Sequence, residues 1–144
     1  MAGMRAGLIH PHFPVFVEWE RFWQVLIAAP VDAAQLVDYE PQQSVKALVQ
    51  LLHRGMAWVL VVLAVSLFVR IKRQAGISNQ LNLGANLLIA TLFVQFLLGI
   101  ITVINCVGRI PLLWGAVHQA GALVLLAVIL FGNYQFSKMR EKDC

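Results

Sequence analysis

A chain of 144 residues, of which 60% are hydrophobic and only 12% charged, with a mean hydropathy of +0.75, is too apolar to be an ordinary soluble domain. The net charge of +4 does not indicate a nucleic-acid partner, because the basic residues flank apolar segments and form no patch on a soluble domain. The composition therefore predicts an integral membrane protein, with the lipid bilayer as its first partner.

Residues 1–46 precede the first long apolar segment and contain most of the prolines and acidic residues. This region has no stretch long enough to span a membrane. Within it, "EWERFWQVLIAA" predicts a short amphipathic helix lying at the outer interface, with Trp19 and Trp23 at headgroup level. Ser44, in the turn that follows, is predicted to cap the next helix.

Three apolar segments are each long enough to cross about 30 Å of hydrocarbon as a helix. They comprise residues 47–69, 81–104 and 112–131, and none alternates in the manner of a strand. A polar connector joins the first two, and a tight turn joins the second to the third, where Pro111 is placed to start the helix. The sequence thus predicts an all-α integral membrane fold with three transmembrane helices and an outer N-terminal extension.

The basic residues predict the orientation of these helices. They follow the first and third segments and are nearly absent from the turn after the second: Arg70, Lys72 and Arg73; Lys138, Arg140 and Lys142; and Arg109 alone in the turn. By the positive-inside rule the N-terminal region is outside and the C-terminus is cytoplasmic. The predicted organisation is an outer region over residues 1–46, a three-helix domain over 47–137 and a basic cytoplasmic tail over 138–144. Cys106 and Cys144 would lie on opposite sides, so no intramolecular disulfide is expected.

Two of the four histidines lie within predicted spans. His53 is six residues into the first span and His118 is six residues into the third, so at 1.5 Å per residue each lies roughly 9 Å below the outer boundary. The first and third spans run in the same direction, because each crossing reverses the chain. Two neutral imidazoles at one depth on separate helices suit axial ligation of a haem iron. Arg54, beside His53, is placed to pair with a haem propionate.

Simpler interpretations of these residues remain open. A histidine in a membrane helix more often hydrogen-bonds to a neighbouring helix, or serves in a proton relay, than binds a metal. Arg54 can extend its side chain to the headgroups without any ligand. The pair formed by His10 and His12 in a proline-rich loop is only weak evidence for a metal site.

The remaining polar and small residues of the spans give less specific signals. Gln95 and Thr102 in the second span are expected to hydrogen-bond across the bundle rather than contact a cofactor. On the face of His118, small residues such as Gly115 and Gly121 would leave room for a flat macrocycle.

Three strings resemble, in order and spacing, the last three membrane helices of the heme A synthase family. They are "VQLLHRGMAW" (49–58), "QFLLGIITV" (95–103) and "PLLWGAVHQAGAL" (111–123). The segment "AGLIHPHFP" near the N-terminus is similar to the end of the preceding helix and the start of the outer loop in that family. The resemblance covers nearly the whole chain and is strongest from residue 49 to residue 123.

The resemblance implies a function. Members of the family have two similar four-helix halves, and the C-terminal half holds a haem b through two histidines whose positions match His53 and His118. The family oxidises a methyl group of haem O to the formyl group of haem A, which is supplied to the terminal oxidase. The resemblance therefore implies bis-histidine haem b as cofactor, haem O as substrate, haem O synthase and cytochrome c oxidase as partners, and the bacterial cytoplasmic membrane as location.

This sequence also departs from the family pattern. The family's catalytic glutamate lies in the N-terminal half, to which no residue here corresponds, so no catalytic residue is predicted in this chain. The chain resembles the C-terminal portion of a heme A synthase, as a fragment, a split-gene product or a mis-started reading frame, which would need the missing half or a second copy of itself. The alternatives are a three-helix cytochrome b anchor of a respiratory dehydrogenase and a haem-free assembly protein.

Overall fold

A computed structural model of the chain describes residues 19–28, 34, 42–74, 76–108 and 110–142. Four helices account for most of them: α1 (Trp19–Ile27), α2 (Gln43–Arg73), α3 (Asn79–Ile104) and α4 (Leu112–Lys142). No strand occurs among the described residues. Helices α2, α3 and α4 are each long and apolar enough to cross a membrane. The prediction of an all-α fold with three membrane-spanning helices is confirmed.

Helices α2 and α4 extend beyond the apolar segments predicted as spans. Each contains 31 residues, which at 1.5 Å per residue gives a length of roughly 46 Å, against about 30 Å of hydrocarbon. The additional turns at the C-terminal end of α2 contain Arg70, Lys72 and Arg73. Such residues are good helix formers and interact favourably with the negative end of the helix dipole, so the helix continues past the apolar segment.

The structure revises one of the predicted helix starts. Ser44 lies inside α2 and is buried, so the prediction that it caps this helix is wrong, and the turn instead begins with a hydrogen bond from the Lys46 amide to the Gln42 carbonyl (3.1 Å). Ser78 caps α3, because its hydroxyl oxygen accepts a hydrogen bond from the Leu81 amide at 3.2 Å. Pro111 stands immediately before α4, as predicted.

Glycines allow both connections between the long helices. Gly76, between α2 and α3, has a φ of 74°, and Gly108, between α3 and α4, has a φ of 69°. Residues with a Cβ atom rarely adopt this left-handed backbone conformation, which glycine adopts without steric cost. Both short connections therefore depend on glycine.

The chain divides into two compact units, and the first comprises residues 1–57 and 99–116. Its core is Phe22 of α1 against Ala47 of α2, both with no exposed surface, and the partly buried residues packed around them are Val25, Leu26 and Leu51. Trp23, the next residue of α1, is 40% exposed, and its ring meets that of Phe22 edge-on with 6.0 Å between the ring centroids. The amphipathic helix predicted from the sequence is confirmed, while the depth of its tryptophans stays a prediction.

The second unit comprises residues 58–98 and 117–144. Its core contains Ile71, Leu81 and Ala85, with Phe68, Ile77 and Met139 packed against it. Close to this core, α3 approaches α4 at Gly84, where an added Cβ atom would lie 3.5 Å from the ring of Phe131. The most apolar windows of α3 and α4 contain no buried residue, so their side chains are available to lipid.

Candidate functional site

His53 and Arg54 are consecutive residues of α2 but lie in different surroundings. The less exposed positions of α2 recur every three or four residues, which defines one face of the helix: Gln50, Arg54, Ala57, Val61 and Ala64. Arg54 belongs to this face and is half-buried, whereas His53 is exposed. Because successive residues of a helix are rotated by about 100°, the two side chains leave α2 in different directions.

Arg54 lies one turn after Gln50, a polar residue with no exposed surface. Both residues take part in polar interactions within the chain. Arg54 is therefore partly enclosed by protein, which differs from the alternative in which its side chain simply extends to the headgroups. Its pairing with a haem propionate stays a prediction.

His118 lies on the less exposed face of α4. Half-buried positions recur at the same spacing along this helix: Gly115, His118, Gly121, Leu125 and Val128. The backbone carbonyl oxygen of His118 accepts a hydrogen bond of 2.9 Å from the Nε2 atom of Gln95 in α3. The peptide group of His118 is thus directly bonded to a side chain of the adjacent helix.

The carboxamide of Gln95 also fills the space beside Gly121. A Cβ atom added at Gly121 would collide with Oε1 of Gln95 and would lie 3.3 Å from a methyl carbon of Leu98. The space beside Gly121 is thus taken by the Gln95 carboxamide in this structure, and the expectation that Gly121 leaves room for a macrocycle stays a prediction. Gly115 differs, since an added Cβ atom there would meet nothing within 4 Å.

A second polar side chain of α3 contacts α4 within the first unit. The hydroxyl of Thr102 donates a hydrogen bond of 3.1 Å to the carbonyl oxygen of Trp114. The prediction that Gln95 and Thr102 hydrogen-bond across the bundle is confirmed. The residue types indicated this bonding, but not that the acceptor of Gln95 would be the backbone of His118.

A cleft of about 270 Å³ opens beside Gln95 in the second unit, and its lining is almost entirely apolar. It is lined by Ala90, Thr91, Val94, Gln95, Gly121 and Val124. The cleft is smaller than the roughly 300 to 1,000 Å³ of typical small-molecule sites. By itself it is too small to be a cofactor site.

The described residues contain no group of three or more histidine, cysteine, aspartate or glutamate side chains that could hold a metal ion. Haem ligation differs from such a site, because the porphyrin supplies the in-plane nitrogens and the protein supplies axial ligands. His53 and His118 are the histidines within the described residues, and an imidazole is a suitable axial ligand. His10 and His12, named above as a weak metal-binding candidate, lie outside the described residues.

Comparison with known proteins identifies relatives along most of the chain. A sequence profile described as cytochrome oxidase assembly protein matches residues 1–130. The heme A synthase of Flavobacterium psychrophilum is 34% identical over 139 residues, which cover 96% of this chain and 38% of that protein. The heme A synthase of Nitrosospira multiformis is 33% identical over 142 residues, covering 96% of this chain and 36% of that protein.

A shorter match shows higher identity. The heme A synthase of a Caulobacter species is 40% identical over 79 residues, which cover 55% of this chain and 22% of that protein. No solved structure matches the chain significantly. The chain spans less than two fifths of the length of these curated relatives. Because the profile covers residues 1–130 of 144, the chain belongs to the cytochrome oxidase assembly protein family, and the resemblance to heme A synthases is confirmed.

Proposed function

We propose that this chain is the haem-b-binding, C-terminal portion of a heme A synthase. The complete enzyme would oxidise a methyl group of haem O to the formyl group of haem A for the assembly of cytochrome c oxidase. The observation that carries this proposal is the similarity to proteins named heme A synthase over 96% of the chain. Family membership lends no support to the alternative of a respiratory dehydrogenase anchor.

In this proposal His53 and His118 would hold the iron of haem b. The exposed side chain of His53 is accessible to a ligand, and the open space at Gly115, one turn before His118, is compatible with a bulky group beside α4. Both observations support a fit between these residues and a haem. When bound, haem b would supply a centre for one-electron transfer, with the two imidazoles holding its iron.

Arg54 would pair with a propionate group of the haem. A guanidinium ion forms two parallel hydrogen bonds with a carboxylate, which makes the pair both strong and directional. The half-buried position of Arg54 supports this role, because removal from water strengthens the attraction between opposite charges. Arg54 would thereby help to orient the haem in its site.

We further propose that the chain lies in the bacterial cytoplasmic membrane with its N-terminal region outside and its C-terminus in the cytoplasm. The basic residues at the C-terminal end of α2 support this orientation. Haem O synthase and cytochrome c oxidase would be its partners. The residues that carry out the oxidation would come from an N-terminal half of the family type or from a second copy of the chain.

The proposal is tested by the absorption spectrum of the purified full chain after reconstitution with haem b. We expect a low-spin spectrum of the bis-histidine type, and we expect both His53→Ala and His118→Ala to lose it. The matched controls are His10→Ala and His12→Ala, which should retain the spectrum of the unaltered chain. A spectrum that survives His53→Ala or His118→Ala would overturn the ligation, and co-purification with a flavoprotein and an iron–sulfur subunit would favour the anchor function instead.

A further inference from the structure

We propose that Gln95 is a positioning residue for His118: its carboxamide, held between the His118 carbonyl and the α carbon of Gly121, fixes the rotation of α4 and thereby the direction of the imidazole. The inference rests on the proposed function, in which His118 is a haem ligand. It goes further, because it assigns a task to a residue of α3 that does not touch the haem iron.

The first observation is that Gln95 contacts α4 at two points. Its Nε2 atom donates a hydrogen bond of 2.9 Å to the carbonyl oxygen of His118. Its Oε1 atom lies so close to the α carbon of Gly121 that a Cβ atom added there would force the carboxamide to move. Residues 118 and 121 lie one turn apart on the same face of the helix. A contact at two points restricts the rotation of α4 about its own axis, which a single contact would permit.

The second observation is that this contact is compatible with an intact helix. A carbonyl oxygen has two lone pairs, so the His118 carbonyl accepts from Gln95 while remaining available to the backbone amide one turn later. The opposite end of the carboxamide has no exposed surface at Oε1. The Gln95 carboxamide is therefore enclosed against the backbone of α4. It fits there because residue 121 is a glycine and has no side chain.

The consequence for a ligand follows from geometry. An atom of a side chain lies roughly 6 Å from the helix axis, so a rotation of about 10° displaces it by about 1 Å. A displacement of that size is enough to spoil a functional site whose supporting residues are loose. Because the carboxamide is bonded to the peptide group of His118 itself, it acts at the position where rotation must be controlled.

Two residues provide matched controls. Thr91 lies one turn before Gln95 and lines the same cleft, but its hydroxyl donates to the Leu87 carbonyl of its own helix at 2.7 Å. Gly132 lies in α4, and a Cβ atom added there would meet nothing within 4 Å. Thr91→Val therefore also replaces a polar side chain of α3 by an apolar one, and Gly132→Ala also adds a methyl group to α4, both away from the two contacts of the Gln95 carboxamide.

The experiment uses the full chain reconstituted with haem b. Electron paramagnetic resonance reports the orientation of the axial imidazoles, and a redox titration gives the midpoint potential of the haem. We expect Gln95→Leu and Gly121→Ala to shift the largest g value and the midpoint potential while haem stays bound, and Thr91→Val and Gly132→Ala to leave both unchanged. Signals of Gln95→Leu and Gly121→Ala that equal those of the unaltered chain would overturn the inference.

A second measurement does not depend on haem. Unfolding of the chain in mixed micelles is compared for Gly121→Ala in two backgrounds, one with Gln95 and one with Gln95→Ala. We expect Gly121→Ala to destabilise the chain only where Gln95 is present. In the Gln95→Ala background the side chain at position 95 is too short to collide with the methyl group added at position 121. Equal destabilisation by Gly121→Ala in both backgrounds would overturn the contact at Gly121. Absence of a bis-histidine spectrum from the unaltered chain would instead overturn the proposed function, and with it the ligand role of His118.

Discussion

The hydroxyl of Thr102 donates a hydrogen bond to the backbone carbonyl of Trp114, and this bond joins the end of α3 to the beginning of α4 across the turn at Gly108. Lipid chains are as apolar as the helix surfaces, so the hydrophobic effect does not draw helices together inside a membrane. Packing and hydrogen bonds between helices take its place. A polar side chain that reaches the adjacent backbone therefore contributes to holding the two helices in register.

Thr102→Val should weaken the pairing of α3 with α4. Valine has nearly the shape of threonine but cannot donate to the Trp114 carbonyl, and we expect a loss of about 0.6 kcal/mol, with roughly 1.7 kcal/mol as the upper limit for such bonds. Unfolding in mixed micelles measures the loss. Thr91→Val is the matched control, because the hydroxyl of Thr91 bonds to the carbonyl of Leu87 in its own helix. Equal losses in the two variants would contradict an interhelical role for Thr102.

Phe22→Ala should detach α1 from α2. Phe22 has no exposed surface and packs against Ala47, and loss of a buried phenylalanine costs about 3 to 5 kcal/mol. Helix α1 has 9 residues, whereas isolated helices shorter than about 12 to 15 residues are barely stable in water. We therefore expect faster hydrogen exchange at the amides of α1. Trp23→Ala, at a position 40% exposed, should have a smaller effect. Equal rates of hydrogen exchange in the two variants would contradict the view that Phe22 holds α1 on α2.

Cys106 should react slowly with alkylating reagents at neutral pH. The residue follows the end of α3, and its burial raises the pKa of the thiol. The thiolate is the reactive form, so a raised pKa lowers the reactive fraction at any given pH. We expect the alkylation rate in a Cys144→Ser chain to keep rising above the pH at which a free thiol, with a pKa of about 8.5, levels off. The same chain in denaturant is the control, and a folded-state midpoint at or below that of the denatured chain would refute the expectation.

Much of the fold was predictable from sequence, because a membrane requires long apolar helices. The spans predicted at 81–104 and 112–131 lie within α3 and α4, and the amphipathic pattern around Phe22 predicted α1. The error at Ser44 has a physical reason: α2 starts at Gln43, four residues before the apolar segment predicted at 47–69, so the serine lies within the first turn. Apolar periodicity does not define where a helix begins in the polar region beside a membrane.

The sequence predicted which residues form the candidate site, but not which face of each helix packs against a neighbouring helix. A helix that is apolar on all sides gives no pattern by which to tell its packed face from its lipid face. The sequence therefore could not show that Arg54 lies on the less exposed face of α2 while His53 lies off it. It also could not show that the long side chain of Gln95 takes the space left by Gly121, since this depends on how two helices are aligned.

The two hydrophobic cores described above lie toward opposite ends of α2, one formed around Phe22 and Ala47 and the other around Ile71 and Leu81. Apolar burial stabilises a structure only where water is the competing solvent, which is the case at helix ends and not in the bilayer interior. The ends of the long helices are therefore stabilised against water, whereas the middle of each helix is stabilised against lipid. Denaturants dissolved in water should act first on the ends, whereas lipid composition should act on the middle, so the two can be varied independently.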